Sequence, residues 1–140
     1  MTLWRDRLYA NPFGTMAAVA AIVLGILGAV LGDDVSRGMA NSLANSADVV
    51  AHLWGVAFAV GGALKLIGLY RHRTTMEIPG LWVMFGGYSF YSLTVTTGLQ
   101  VHGLAAGTIS AALAVGCLLK VRLIMRQARW VAGAGGDGTV

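Results

Sequence analysis

Long apolar stretches alternate with short polar segments along the chain. The apolar stretches cover residues 12–32, 49–70, 80–99 and 103–125. Each is about 20 residues long, or roughly 30 Å as an α-helix, which matches the hydrocarbon core of a bilayer. The pattern predicts an all-α fold, an integral membrane four-helix bundle, in which residues 1–130 form a single four-span membrane domain.

The basic residues divide unevenly between the two ends of these predicted spans. Of the ten Lys and Arg residues, only Arg37 falls in an outward-facing segment. The other nine lie at the opposite ends: Arg5, Arg7, Lys65, Arg71, Arg73, Lys120, Arg122, Arg126 and Arg129. Because short cytoplasmic loops retain Lys and Arg, we expect both termini in the cytoplasm and the protein in the cytoplasmic (inner) membrane.

Composition agrees with a small membrane unit. The chain is 56% hydrophobic and 11% charged, and it has a formal net charge of +4. Basic residues at span ends are attracted to an anionic leaflet, so we expect a lipid bilayer as partner and no nucleic acid. Arg122, Arg126 and Arg129 are spaced i, i+4 and i+7, which predicts that the last helix continues along the membrane surface to about Trp130. The Gly-rich tail, 131–140, is predicted to be disordered.

Local signals mark the boundaries of the predicted helices. Asn11-Pro12 is a favourable start, with Asn as cap and Pro in the first helical position. Glu77-Ile78-Pro79-Gly80 predicts a break inside a tight loop at 71–80. The short connection 100–103 predicts that the third and fourth spans form an antiparallel hairpin. Trp4, Trp54, Trp82 and Trp130 lie near span ends, as is typical of interfacial anchors.

The outer segment 33–48 permits two interpretations. Val35, Met39 and Leu43 are spaced by four residues, which would suit a short helix lying on the outer surface. The segment is also rich in Asn and Ser, as expected of a solvated loop. The sequence leaves both open.

Small residues recur at helical spacing in the first and fourth spans. In lipid, such residues let helix backbones approach closely. The stripes are Ala17, Ala21, Gly25 and Ala29, the pair Gly28 and Gly32, then Gly103, Gly107 and Ala111, and Ala112 with Gly116. Their first use is packing within the bundle, but two such faces exceed what a minimal bundle needs. We therefore expect a homo-oligomer.

The third span is unusually polar. Ser89, Ser92 and Thr96 share one face at i, i+3 and i+7. One interpretation is hydrogen bonding between helices of the bundle, and the other is a surface that lines a water-filled lesion once several copies assemble. Ser89, Ser92 and Thr96 are therefore the predicted lesion-lining residues.

The residues that carry chemistry are sparse. The single cysteine, Cys117, has no partner for a CxxC redox relay, and no Asp or Glu lies inside a predicted span. Lys65 is inside a span and is expected to snorkel to the cytoplasmic interface. His52 and His102 fall at similar depth, but a third ligand for a metal or haem is missing. We expect no catalytic residue, no metal and no cofactor, and so no enzyme.

Two resemblances bear on function. Residues 60–68 (VGGALKLIG) resemble the small-Gly-x-x-Lys-Leu signature of DoxX-like four-span proteins, where it belongs to the first span, and imply a redox-associated subunit. The overall layout resembles actinobacteriophage holin-like proteins, which implies self-association and permeabilisation of the cytoplasmic membrane. The alternative is a non-lytic phage or host membrane protein that binds another membrane protein as a structural or exclusion factor.

The uneven distribution of basic residues predicts the topology directly. Reporter fusions after Val140 and within 71–80 are expected to read cytoplasmic, and fusions within 33–48 and at Val101 are expected to read outside. An external signal from the C-terminal fusion would contradict this topology.

Overall fold

The computed structural model describes residues 11–71 and 73–134, and these are almost entirely helical, with no strand among them. The all-α prediction is therefore confirmed. The helices are α1 (Pro12–Leu31), α2 (Arg37–Leu43), α3 (Ala47–Arg71), α4 (Thr74–Leu99) and α5 (Leu104–Ala134). Short 3₁₀ segments lie at Gly32–Val35, Ala44–Ser46 and Gln100–Gly103.

Three helical stretches are long and apolar enough to cross a membrane: Pro12–Leu31, Ala47–Arg71 and Thr74–Gly133. The third contains 60 residues and joins α4, a 3₁₀ turn and α5. Gln100, at the start of that turn, has a φ of 48°, in the left-handed region, so the α-helix ends there. Ser92 contacts Gly107 and Val95 contacts Gly103, which shows that α5 runs back along α4 as an antiparallel hairpin.

Both ends of α1 follow from local chemistry. The Asn11 side chain accepts a hydrogen bond from the Gly14 N–H at 3.3 Å, and Pro12 occupies the first helical position, as predicted. At the other end, Gly32 has a φ of 59°, and its N–H donates to the Gly28 carbonyl. A side chain at position 32 would also collide with His52. Glycine is therefore required there by both backbone conformation and packing.

The predicted break at Glu77-Ile78-Pro79-Gly80 is wrong. The helix α4 already begins at Thr74 and continues through Pro79. Proline forfeits one intrahelical hydrogen bond, but close packing on α3 holds this turn in place: Gly80 contacts the backbone of Lys65, and Gly68 contacts the backbone of Glu77. Since α3 ends at Arg71 and α4 begins at Thr74, the predicted loop at 71–80 is mostly helical.

The outer segment contains the short helix α2, so the helical interpretation of residues 33–48 is the correct one. It packs onto the end of α4 rather than lying on the outer surface. Met39 is fully buried, and Gly38 contacts the backbone of Val95. The Ser42 hydroxyl donates to the Thr94 carbonyl at 2.6 Å, which attaches α2 to α4 by a polar contact as well.

Glycine contacts hold α1 against α3. A Cβ built on Gly25 would lie 2.6 Å from the Gly55 carbonyl oxygen, and one built on Gly55 would lie 2.6 Å from the Gly25 carbonyl oxygen. Ala18 and Ala21 are completely buried beside this contact. The small-residue stripe of the first span therefore packs within one chain.

The close contact at Gly55 predicts a large penalty for one added methyl group. Gly55→Ala is expected to lower the free energy of unfolding by about 1–3 kcal/mol, because the α1 and α3 backbones would have to separate. Gly86→Ala on α4 is the control, since a Cβ there meets nothing within 4 Å. Denaturation in detergent micelles measures both, and equal effects would contradict this account of the contact.

Candidate functional site

An aromatic cluster fills the space between α3 and α4. The Trp54 indole N–H donates to the Gly87 carbonyl at 3.1 Å, and its ring stacks on Phe58 with centroids 5.0 Å apart. Phe58 meets Tyr88 edge to face at 4.7 Å. Trp54 is thus a core residue, and the prediction that it is an interfacial anchor is wrong, because Gly28 of α1 leaves room for its ring and Gly87 offers a carbonyl to its N–H. Trp82 and Trp130 are exposed, while Trp4 lies outside the described residues.

Tyr88 connects this cluster to α1. Its hydroxyl donates to the Ala17 carbonyl at 2.8 Å, and the side chain is almost fully buried. The bond joins α4 to α1 across α3.

A groove opens next to this bond, between α1 and α5, and its volume is about 130 Å³. Small and apolar side chains form most of its walls, and two lysines line it. The lining includes Phe13, Gly14 and Ala17 of α1, Lys65 of α3, Leu81 of α4, and Leu113, Gly116, Cys117 and Lys120 of α5. The groove is the point where the four long helices converge.

Lys65 is buried in this groove, with only 3% of its surface exposed. Its ammonium donates to the Gly14 carbonyl of α1. The expectation that Lys65 snorkels to the interface is wrong, since the side chain extends to α1 within the protein. Glu77 of α4 and Lys120 of α5 are near enough for their charges to act on the ammonium.

Two of the three predicted lesion-lining residues face the hairpin partner. Ser92 Oγ donates to the Gly107 carbonyl at 2.8 Å, and Thr96 Oγ1 lies against Gly107. Ser89, one turn earlier, is half-buried. Within one chain, two of the three hydroxyls therefore serve the contact between α4 and α5.

The predicted surface arginines all lie on the last helix. Arg122, Arg126 and Arg129 are exposed there. The helix continues past Trp130 to Ala134, so the first four residues of the tail predicted to be disordered are helical. Residues 135–140 lie outside the described part of the chain.

The histidines His52 and His102 have different surroundings. His52 Nδ1 lies 2.8 Å from the Asp48 carbonyl oxygen and 3.3 Å from its carboxylate. His102 is exposed in the 3₁₀ turn. Across residues 11–71 and 73–134, no group of three or more His, Cys, Asp or Glu side chains is placed to hold a metal ion.

The small residues of α5 divide into two sets. Gly103 and Gly107 are buried against α4. Ala111 and Ala112 are exposed, and a Cβ on Gly116 would meet nothing within 4 Å. The Ala112 and Gly116 face therefore has no helix packed on it within the described chain.

The fold and these sites define an all-helical protein with three apolar stretches long enough to span a membrane. No family model, curated protein or solved structure matches the chain. Its function must therefore be argued from its own residues.

Sequence reasoning missed the groove and the part that Lys120 plays in it. A signal was present in α3, where Gly61, Lys65 and Gly68 recur at i, i+4 and i+7. This spacing places the lysine on the same face as two glycines, and glycines mark the face that packs against other helices. A lysine on such a face is buried rather than free to snorkel.

The bond from Tyr88 to Ala17 predicts a small but specific loss of stability. Tyr88→Phe keeps the ring and removes the hydroxyl, and it is expected to lower the free energy of unfolding by about 0.6 kcal/mol, the average for hydrogen bonds between helices in membranes. Tyr70→Phe, at an exposed tyrosine, is the control and is expected to change nothing. Unfolding in detergent tests both, and an unchanged stability for Tyr88→Phe would show that the bond contributes nothing net.

Proposed function

We propose that the chain is a four-span protein of the cytoplasmic membrane, with both termini in the cytoplasm, that self-associates and permeabilises that membrane as a holin does. No residue is catalytic in this function.

The arrangement of helix ends supports the topology. One end of the long helices is defined by the contacts of Lys65. This residue bonds to Gly14 of α1, its backbone packs on Gly80 of α4, and it lines the groove together with Lys120 of α5. The other end carries α2 and the turn at Gln100–Gly103. Four crossings in alternating directions would put all the Lys and Arg residues except Arg37 at one membrane face, in accord with the rule that cytoplasmic loops retain Lys and Arg.

The exposed apolar sides of the long helices support self-association in lipid. Apolar side chains such as Val30, Leu53 and Ile109 are more than half exposed on three different helices. The exposed face of α5 around Ala112 offers another helix a close approach that no helix of its own chain uses.

The observation that carries permeabilisation is the hydroxyl face of α4 at the hairpin contact. Among the described residues, the side-chain hydrogen bond that links α4 to α5 is the one from Ser92 to Gly107. Such a bond is worth about 0.6 kcal/mol on average in a membrane, so water can replace it at modest cost once assembly has exchanged the packing of α4 on α5 for contacts between copies. Separation of α4 from α5 would then present Ser89, Ser92 and Thr96 to an aqueous lesion.

A second candidate function is a non-lytic membrane protein that binds another membrane protein as a structural or exclusion factor. The observation that favours it is that Ser92 and Thr96 already serve packing on Gly107 within one chain. In that case the hydroxyls are structural, and the exposed α5 face binds the partner. The resemblance to DoxX-like proteins would make the chain a redox-associated subunit. Its partner would then have to supply the redox groups, since Cys117 is the only cysteine.

Removal of the hydroxyls separates these functions. The triple variant Ser89→Ala, Ser92→Ala and Thr96→Val nearly preserves volume. We expect it to insert and self-associate normally but to fail to depolarise cells on induction, whereas the wild type depolarises them. Membrane potential, viability and the amount of protein in the membrane are followed together.

Thr108→Val is the matched control, because it removes an exposed hydroxyl that donates to the Leu104 carbonyl of its own helix at 2.7 Å. It is expected to depolarise cells like the wild type. Wild-type protein that reaches the membrane at high copy number and leaves potential and viability untouched would overturn permeabilisation and favour the binding function.

A further inference from the structure

We propose that the groove between α1 and α5 binds one anionic phospholipid, with its phosphate between Lys65 and Lys120 and an acyl chain along Gly116. The inference rests on the membrane location proposed above but not on permeabilisation. It assigns a ligand to two lysines that the proposed function does not use.

The state of Lys65 points to an anionic ligand. An ammonium buried to 97% among apolar walls is costly unless it is paired, and it has three hydrogen-bond donors. The Gly14 carbonyl accepts one bond and is uncharged. A phosphate oxygen would supply both a further acceptor and the opposite charge.

The charge of the groove is complementary to a phosphate. Lys65 and Lys120 both line it, and no carboxylate does among the described residues. Glu77 is the acidic side chain that acts on Lys65, but it lies on the α4 side, outside the lining. Basic pockets between membrane helices near the cytoplasmic face bind anionic headgroups for this reason.

The lining of the groove favours a lipid over a second copy of the chain. Phe13, Leu81 and Leu113 provide apolar walls for a hydrocarbon chain, and Gly14, Ala17 and Gly116 have small side chains or none. A second copy, with a formal net charge of +4, matches the two lysines less well than a phosphate does.

The test uses the full-length protein purified in neutral detergent and titrated with phosphatidylglycerol or phosphatidylcholine. Native mass spectrometry counts the lipid retained per chain, and the melting temperature reports binding independently, because a ligand of the folded state raises it. We expect saturable retention of one phosphatidylglycerol per chain with a rise in melting temperature, and neither effect with phosphatidylcholine.

Three variants locate the site. Lys120→Gln is expected to weaken retention about fivefold, the equivalent of about 1 kcal/mol for one lysine at an anionic lipid. Gly116→Leu fills the groove without changing charge and is expected to abolish retention. Arg122→Gln removes an exposed charge from the same end of α5 and is expected to retain the lipid like the wild type.

Three outcomes would overturn the proposal. Equal weakening by Arg122→Gln and Lys120→Gln would mean diffuse attraction to the helix surface. If inorganic phosphate raised the melting temperature as much as phosphatidylglycerol does, the groove would bind a soluble anion and not a lipid. Loss of oligomers with unchanged lipid retention in Gly116→Leu would mean that a second copy occupies the groove. None of these readouts depends on depolarisation, so failure of the permeabilisation proposal is seen separately.

Discussion

The close approach of helix backbones at glycine positions is the constraint on which the rest of this structure depends. Gly25 and Gly55 bring α1 onto α3, Gly68 and Gly80 bring α3 onto α4, and Gly38 brings α2 onto α4. In a bilayer, apolar side chains gain little by leaving lipid for protein, so helix association relies on dense packing and a few polar contacts. Because each of these glycines has no side chain, the backbones of the two helices come into direct contact there.

The groove follows from this pattern of contacts. Because α1 packs mainly on α3, and α5 packs mainly on α4, few close backbone contacts join α1 to α5. The helices α1 and α5 therefore flank a space that no large side chain fills. Lys65 reaches into that space from α3, and its bond to Gly14 helps to fix the position of α1. The same packing that stabilises the bundle thus sets an ammonium at the wall of an open groove.

The parts of the fold that depend on local chemistry could be predicted from the sequence, and those that depend on a neighbouring helix could not. Asn11-Pro12 starts α1 as predicted, since cap and first position lie within a single turn. Pro79 does not break α4, because its helix is held by contacts on α3 that no local rule includes. Trp54 and Lys65 looked interfacial by their residue types and positions. Their burial depends on Gly87 and Gly14, which are distant in sequence.

The pairing of the long helices has a consequence for how the chain assembles. The most extensive contacts join α1 with α3, α3 with α4, and α4 with α5, so each long helix packs mainly on the one synthesised just before it. Contacts between neighbours in sequence close short loops and form fast. Each new helix can therefore pack on its predecessor before the C-terminal segment is synthesised. A truncated nascent chain that ends after α3 already holds the complete Gly25 and Gly55 contact, which makes the first helical pair a template for the rest.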